Sequence, residues 1–108
     1  MKLPRFDKAS VLVIGDLMLD RYWHGTTERV SAEAPIPIVS VKDIEDRPGA
    51  AANVALNVAS LGANVALIGM VGRDEPGEVL LEKLYSAGIS CRLHKKSGYR
   101  TTTKLRIV

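Results

Sequence analysis

A helix opened by small residues and followed at once by an apolar strand most constrains the fold of this chain. The segment Pro48-Gly-Ala-Ala-Ala-Asn-Val-Ala-Leu-Asn-Val-Ala-Ser-Leu-Gly62 leads directly into the apolar run Val65–Val71. This pattern predicts a helix over residues 50–61 and a strand over residues 65–71. The first N–H groups of a helix have no partner within it, and small residues let a ligand come close to them. The start of this helix is therefore a candidate site for an oxygen-rich ligand.

The rest of the chain continues an α/β pattern. Val11–Ile14 is a continuous apolar run, which predicts a strand buried on both faces of a parallel sheet. Asp74 can cap a second helix, with Pro76 in its first turn and Gly88 beyond its end. Further strands are predicted over residues 21–30, 36–42, 89–94 and 101–108, the first two of them exposed and antiparallel. The face of the first helix predicted to be buried comprises Ala51, Val54, Ala55, Val58 and Ala59.

Size and charge exclude several classes of function. The 108 residues suffice for about one small domain, and the longest basic run is Lys95-Lys96, so the net charge of +3 forms no stripe for nucleic acid. The single cysteine, Cys91, excludes an internal disulfide, and no apolar run is long enough to span a membrane. This net charge and composition fit a cytoplasmic protein that acts on a phosphorylated small molecule. Because residues 101–108 end in mid-strand, the chain is expected to be the front part of a longer protein.

The spacing of Asn53, Ala55, Gly62 and Gly72 resembles the first signature of the ribokinase (PfkB) family of carbohydrate kinases. One departure is Ala50, where the family usually has a second glycine. The resemblance covers residues 11–108. It implies a Rossmann-like ribokinase fold, of which residues 1–108 form the N-terminal part. It further implies that a small β lid, at about residues 21–43, covers the sugar and pairs with a second subunit as a homodimer.

Three stretches resemble one branch of this family, the kinases that act on D-glycero-β-D-manno-heptose 7-phosphate. They are Gly15–Trp23, Arg29–Pro37 and Glu45–Gly49. The resemblance implies ATP-dependent phosphorylation of the anomeric hydroxyl, on the route to lipopolysaccharide heptose, with ATP and Mg²⁺ bound by the full-length protein. In the family the catalytic carboxylate and anion hole lie in a Gly-Ala-Gly-Asp-like motif, which this chain lacks. We therefore expect residues 1–108 alone to be inactive and to bind neither ATP nor metal.

The sugar side of the site has four candidates near the first helix. By resemblance Asp20 binds the sugar, since an ionised carboxylate accepts hydrogen bonds from two hydroxyls; the alternatives are a solvated loop aspartate or a pair with Arg21. Gly49, Ala50 and Asn53 would offer backbone N–H groups and a side-chain amide, although tight helix packing also calls for small residues. A positive φ at Ala50 would cost about 1–2 kcal/mol, whereas a right-handed helical conformation would suit alanine.

Lys104 and Arg106 alternate along the last strand and so share one face. The resemblance implies that one or both hold the 7-phosphate, while a solvated strand face is the alternative, with Arg29 or Arg47 as the next candidates. Tyr22 and Trp23 are expected to pack under the lid or at a dimer contact. His24 and His94 have no cysteine or acid at ligand spacing, and no metal site is predicted.

Two other functions stay open from sequence alone. A non-catalytic dimerisation module would use the strands of residues 21–42 without chemistry, and a fructokinase- or ribokinase-like enzyme would share the Asn53 signature. The sequence also leaves open whether the whole protein carries a nucleotidyltransferase domain. A P-loop is excluded, because Gly69-Met-Val-Gly72 is not followed by Gly-Lys-Ser/Thr.

Overall fold

In a computed structural model, which describes residues 6–30, 32 and 35–108, the chain forms two three-stranded sheets and two α-helices. A short 3₁₀ turn, Phe6–Lys8, precedes the first strand. The elements that follow are β1 (Ser10–Ile14), β2 (Leu17–Val30), β3 (Pro37–Ala50), α1 (Ala51–Ser60), β4 (Asn64–Gly72), α2 (Glu75–Ser86), β5 (Ser90–Lys96) and β6 (Thr102–Ile107). Neither helix of this described part is long and apolar enough to cross a bilayer.

The first sheet, sheet A, has the order β1-β4-β5, and all its strands are parallel. Both helices contribute to one hydrophobic core with β4, as expected where helices connect parallel strands. The largest fully buried side chains are Leu19, Leu67, Leu80, Leu84 and Val71. The predicted α/β class is confirmed, and the observed helices and strands lie close to the predicted ones, except that β2 already begins at Leu17 and β3 continues to Ala50.

Two details of the predicted core are wrong. β1 is not buried on both faces, because α1 and α2 pack on the Val13 side and leave Leu12 55% and Ile14 69% exposed. The buried face of α1 is also rotated from the predicted one: Ala52 is fully buried, whereas Val54 is 50% exposed. Because α1 packs closely against the sheets, the small side chain of Ala52 fits at the buried position. The apolar character of Val54 is not enough to predict which of the two residues is buried.

The second sheet, sheet B, has the order β3-β2-β6. β2 and β3 form a long antiparallel pair from Leu17 opposite Ala50 to Val30 opposite Pro37, with register shifts after His24 and Thr27. β6 pairs parallel with β2, from Met18 opposite Thr102 to Trp23 opposite Ile107. The two antiparallel strands therefore extend beyond residues 21–30 and 36–42. Residues 101–108, predicted as a strand that follows the βαβ pattern, join sheet B rather than sheet A.

A hydrogen-bonded junction around Thr101 ties the two sheets and α2 together. Asp74 caps α2 as predicted, its Oδ1 accepting from the Gly77 N–H at 2.9 Å. The same carboxylate accepts from the Thr101 N–H at 2.8 Å and hydroxyl at 2.7 Å, and this hydroxyl accepts from the Gly72 N–H at 2.9 Å. A side chain on Gly72 would overlap the carbonyl oxygen of Tyr99. Although burial acts in the other direction, the hydrogen bonds from Thr101 and Gly77 lower the pKa of Asp74.

Changing Thr101 to valine should lower the free energy of unfolding by about 1–3 kcal/mol, because it leaves the Gly72 N–H without an acceptor. Chemical denaturation of both proteins at pH 7 measures the loss, and Thr102→Val, at an exposed neighbour, is the control. Since the pKa of Asp74 is lowered on folding, its contribution is complete above its unfolded pKa of about 3.9 and is lost as the pH falls below it. The difference should therefore shrink towards pH 3. Equal effects of the two substitutions would contradict the structural role of the junction.

Candidate functional site

One face of sheet B collects polar side chains from all three strands. Asp20 on β2 lies opposite Arg47 on β3 and opposite Lys104 on β6. Two residues further along β2, Tyr22 lies opposite Glu45 and Arg106. Because directly opposed residues in a sheet point to the same side, these side chains form one surface. We call this surface the polar face; it consists of Asp20, Tyr22, Glu45, Arg47, Lys104 and Arg106.

Asp20 supplies the polar face with an unused hydrogen-bond acceptor. The residue is half-buried, and its Oδ1 is fully buried with no hydrogen-bond partner among the described residues. A Cβ on Gly49 would lie 3.0 Å from Asp20 Oδ2, so a side chain at this position would crowd the carboxylate. A buried carboxylate oxygen without a donor is costly to desolvate. A ligand hydroxyl that donates to Oδ1 would remove this cost.

Arg21 is not the partner of Asp20. As the next residue on the strand it points to the opposite face, where its Nε and Nη2 donate to the two carboxylate oxygens of Asp46 at 2.7 and 3.1 Å. Its Nη2 also donates to Glu75 at the start of α2, at 2.7 Å. These hydrogen bonds, those to Asp46 first, raise the pKa of Arg21. The alternative of an Asp20–Arg21 ion pair is therefore excluded, and this network fastens sheet B to α2.

Ala50 connects the polar face to α1 in a strained conformation. Its φ of 52° and ψ of −130° make it the one non-glycine residue with positive φ in the described part of the chain. The Ala51 N–H donates to the Asp16 carbonyl at 2.9 Å, and no side chain caps the helix. Of the two conformations considered for Ala50, the structure has the unfavourable one. Asn53 lies exposed in the first turn that follows.

Arginine side chains surround the Tyr22 ring. The guanidinium carbon of Arg47 lies 4.9 Å from the ring centroid, and that of Arg106 lies 5.8 Å from it. Arg47 also donates from Nε to Glu45 Oε1 at 2.9 Å, and its Nη2 forms an ion pair with the same oxygen at 2.8 Å. The hydrogen bond and the opposite charges lower the pKa of Glu45 and raise that of Arg47. Tyr22 is stacked with His24 at 6.4 Å, and the His24 Nε2 lies 3.5 Å from Glu45.

The structure thus brings some predicted residues together and adds others. Asp20 and Gly49 are in contact, and Lys104 and Arg106 lie on the same face as Asp20. The Tyr22 ring lies 4.9 and 5.8 Å from two guanidinium carbons, and its place under the lid or at a dimer contact stays a prediction. The signal was present in the sequence as alternation: residues 20, 22 and 24 share one face of β2, as do residues 45, 47 and 49 of β3.

Some residues named in the sequence predictions lie outside the part of the chain that the structure describes. They are Ser31, Glu33 and Ala34 of the Arg29–Pro37 stretch and the side chain of Arg29, an alternative phosphate ligand. Trp23, on the face opposite Tyr22, has a buried Nε1 without a partner in the described part of the chain. Within that part, no group of three or more His, Cys, Asp or Glu side chains is arranged to hold a metal ion.

Comparison with protein families and curated sequences gives a consistent result. The sequence profile of the pfkB family of carbohydrate kinases matches residues 8–108. The Bifunctional protein HldE of Alkalilimnicola ehrlichii is 57% identical over 106 residues, which are 98% of this chain and 22% of the relative. The Bifunctional protein HldE of Pseudomonas savastanoi pv. phaseolicola is 55% identical over 108 residues, 100% of this chain and 23% of the relative. The chain therefore spans less than a quarter of the length of these relatives.

Solved structures with a similar fold are also kinases. A carbohydrate kinase from Agrobacterium tumefaciens superposes with a TM-score of 0.73 at 27% identity, covering 93% of this chain and 31% of that protein. A fructokinase from Vibrio cholerae O395, solved in a form bound to fructose, ADP and a calcium ion, gives a TM-score of 0.66 at 25% identity. It covers 92% of this chain and 28% of that protein.

The strain at Ala50 can be measured. Ala50→Gly should raise the free energy of unfolding by about 0.5–1 kcal/mol, because the cost of positive φ for alanine exceeds the extra backbone entropy that glycine loses. Gly88→Ala is the matched control: Gly88 has φ of 78°, and an added Cβ would meet nothing within 4 Å, so only the backbone cost is probed. It should lower the free energy of unfolding by about 1 kcal/mol. A loss of stability in Ala50→Gly would show that the backbone at this position is not strained.

Proposed function

Because the chain belongs to the pfkB family of carbohydrate kinases, we propose that it forms the sugar-binding part of an enzyme that phosphorylates D-glycero-β-D-manno-heptose 7-phosphate at the anomeric hydroxyl. The family and the ribokinase-like α/β fold predicted from the sequence are confirmed. The choice of sugar is supported by the stretches that resemble the heptose 7-phosphate kinases. Identities of 57% and 55% to proteins named HldE also support this branch. The whole enzyme would act in the cytoplasm, on the route to lipopolysaccharide heptose.

The buried Oδ1 of Asp20, which has no hydrogen-bond partner among the residues that the structure describes, is the observation that carries this proposal. A sugar presents hydroxyl donors on adjacent carbons, and a carboxylate can accept from two of them at once. The absence of a side chain at Gly49 leaves room for the carboxylate. In this arrangement Asp20 fixes the orientation of the sugar ring, while the first-turn N–H groups of α1 and the exposed amide of Asn53 extend the site. Ala50, in its unusual conformation, sets where this helix begins.

The cations of the polar face support a substrate that already carries a phosphate. Lys104 and Arg106 are exposed on the same side of sheet B as Asp20. A phosphate dianion gains charge-assisted hydrogen bonds from such cations, and a neutral sugar, as in a fructokinase or ribokinase, offers no charge that calls for a second cation beside Lys104. The family membership favours a kinase over a non-catalytic interaction module.

The phosphate donor is assigned to other parts of the whole protein. ATP supplies the transferred group, and Mg²⁺ offsets its charge in such reactions. The described residues contain no cluster suited to a metal ion, and the sequence contains no P-loop. The role proposed for this chain is holding the sugar, orienting its ring and binding its existing phosphate, and the nucleotide and its metal are assigned to the rest of the whole protein.

The test is Asp20→Asn in the full-length protein. A hydrogen bond to a charged acceptor contributes about 1.5–3 kcal/mol, so affinity for the heptose phosphate should fall about ten- to a hundredfold. Affinity for ATP should stay the same, because the nucleotide is assigned elsewhere. Isothermal titration with each ligand separates the two effects. Asp43→Asn, the same loss of charge at an exposed position of β3, is the control; an unchanged sugar affinity in Asp20→Asn would refute the proposed role.

We further propose that the whole protein dimerises through sheet B. The observation is apolar surface at the far end of this sheet: Ile44 is 61% exposed, Leu105 45% and Ile107 55%. The register places all three on the side of Arg21 and Trp23, away from the polar face. β3 and β6 are the outer strands of sheet B within the described part of the chain, and a second copy of this apolar surface is a suitable occupant.

Light scattering of the full-length protein tests this contact. Ile44→Asp should convert a dimer into a monomer, because a charge would be buried at the centre of the apolar contact. Tyr85→Asp, at a residue of α2 that is 82% exposed and distant in sequence from sheet B, should leave the dimer intact. A native protein that is monomeric at micromolar concentration, or an Ile44→Asp dimer of unchanged strength, would exclude this interface.

A further inference from the structure

The polar face has two ends that differ in chemistry. At one end Asp20 lies opposite Lys104. Two residues along β2, at the other end, Tyr22 lies opposite Arg106, and the long side chain of Arg47 reaches across from β3 to the same ring. Two residues of strand span roughly 7 Å. This separation is comparable to that between a ring hydroxyl and a terminal phosphate of a sugar phosphate.

From this arrangement, and resting on the function proposed above, we propose that Arg47 and Arg106, held on either side of β2 against the Tyr22 ring, bind the phosphate of the substrate. Lys104 instead lies at the Asp20 end and acts on the sugar ring. Lys104 and Arg106, which the sequence pattern grouped as phosphate ligands, therefore have different roles. Arg47 and Tyr22 join the residues that determine specificity.

The contacts of Tyr22 explain why arginine suits this position. A guanidinium stacked on an aromatic ring keeps its N–H edge free, and that edge can donate two parallel hydrogen bonds to phosphate. Lysine would provide a charge without the planar fork. The two guanidinium carbons lie 4.9 and 5.8 Å from the ring centroid, and side chains that already lie near their binding positions lose less conformational entropy when the phosphate binds. Tyr22 is thus a positioning residue, which acts through the two arginines.

Glu45 completes the arrangement as a counter-ion. Its Oε1 accepts a hydrogen bond from Arg47 Nε at 2.9 Å and forms an ion pair with Arg47 Nη2 at 2.8 Å. Both side chains are about half exposed or more, so the pair is weak enough to be exchanged for a stronger one. A phosphate dianion that approaches from the Arg106 side competes with Glu45 for the Arg47 fork. Glu45 therefore holds Arg47 near Tyr22 without blocking the exchange.

Steady-state kinetics of the full-length protein, with heptose 7-phosphate and with the same heptose lacking its phosphate, test this assignment. Arg47→Lys and Arg106→Lys should each raise the KM for the phosphorylated sugar tenfold or more and change kcat/KM for the neutral sugar less than twofold. Lys104→Ala should affect both sugars by the same factor. Arg92→Lys, at an exposed position of β5, is the matched control and should change neither.

Tyr22 provides the second arm of the test. Tyr22→Phe keeps the ring and should stay within threefold of the native KM, whereas Tyr22→Leu should reproduce the loss seen in Arg47→Lys. Equal losses for the two sugars in Arg47→Lys and Arg106→Lys would overturn the assignment, as would a phosphate-selective loss in Lys104→Ala alone. Failure of this assignment can be told apart from failure of the proposed function, which Asp20→Asn tests. If heptose is the wrong sugar, the activity towards both forms of heptose will be low. The selectivity for the phosphorylated form can then be measured with fructose and fructose 6-phosphate.

Discussion

The hydrogen-bonded junction between Asp74 and Thr101 determines where the candidate site lies. The hydrophobic core belongs mainly to sheet A and the two helices, whereas the polar face belongs to sheet B. Thr101, the one buried polar residue of the described part, connects them through the Gly72 N–H on β4 and the carboxylate that caps α2. Since β6 begins at the next residue, this junction also fixes the register that puts Lys104 beside Asp20.

The two faces of sheet B differ in how completely their polar groups are paired. On the side that packs towards α2, Arg21 donates to Asp46 and Glu75 with three hydrogen bonds of 2.7–3.1 Å. On the other side, the neighbouring Asp20 keeps a buried oxygen without a donor among the described residues. Adjacent residues of one strand therefore have opposite roles, one in holding the fold and one in offering an acceptor to a ligand. The alternation of a β-strand makes this separation possible.

The positions of helices and strands were easier to predict from the sequence than the pairing of the strands. Apolar runs, the Asp74 cap and the glycines that end the helices are local signals, and they located α1, α2, β4 and β5. Which sheet a strand joins is decided by long-range pairing, so the sequence could not show that β6 lies beside β2. The same limit applies to the site. Asp20 and Gly49 were found through a family resemblance, whereas the contact of Arg47 with Tyr22 depends on the antiparallel register of β2 and β3.

The strain at Ala50 is explained by what surrounds it. Ala50 is the last residue of β3, opposite Leu17, and the Ala51 N–H is held by the Asp16 carbonyl. The chain must turn there from an extended strand into α1 within one residue, and a positive φ achieves this turn. With both neighbours fixed, alanine has no other conformation available, even though a glycine would adopt this one at a lower cost. The same turn starts α1 two residues after Gly49, where an added Cβ would lie 3.0 Å from Asp20 Oδ2, so the strained backbone and the candidate acceptor Asp20 belong to one local structure.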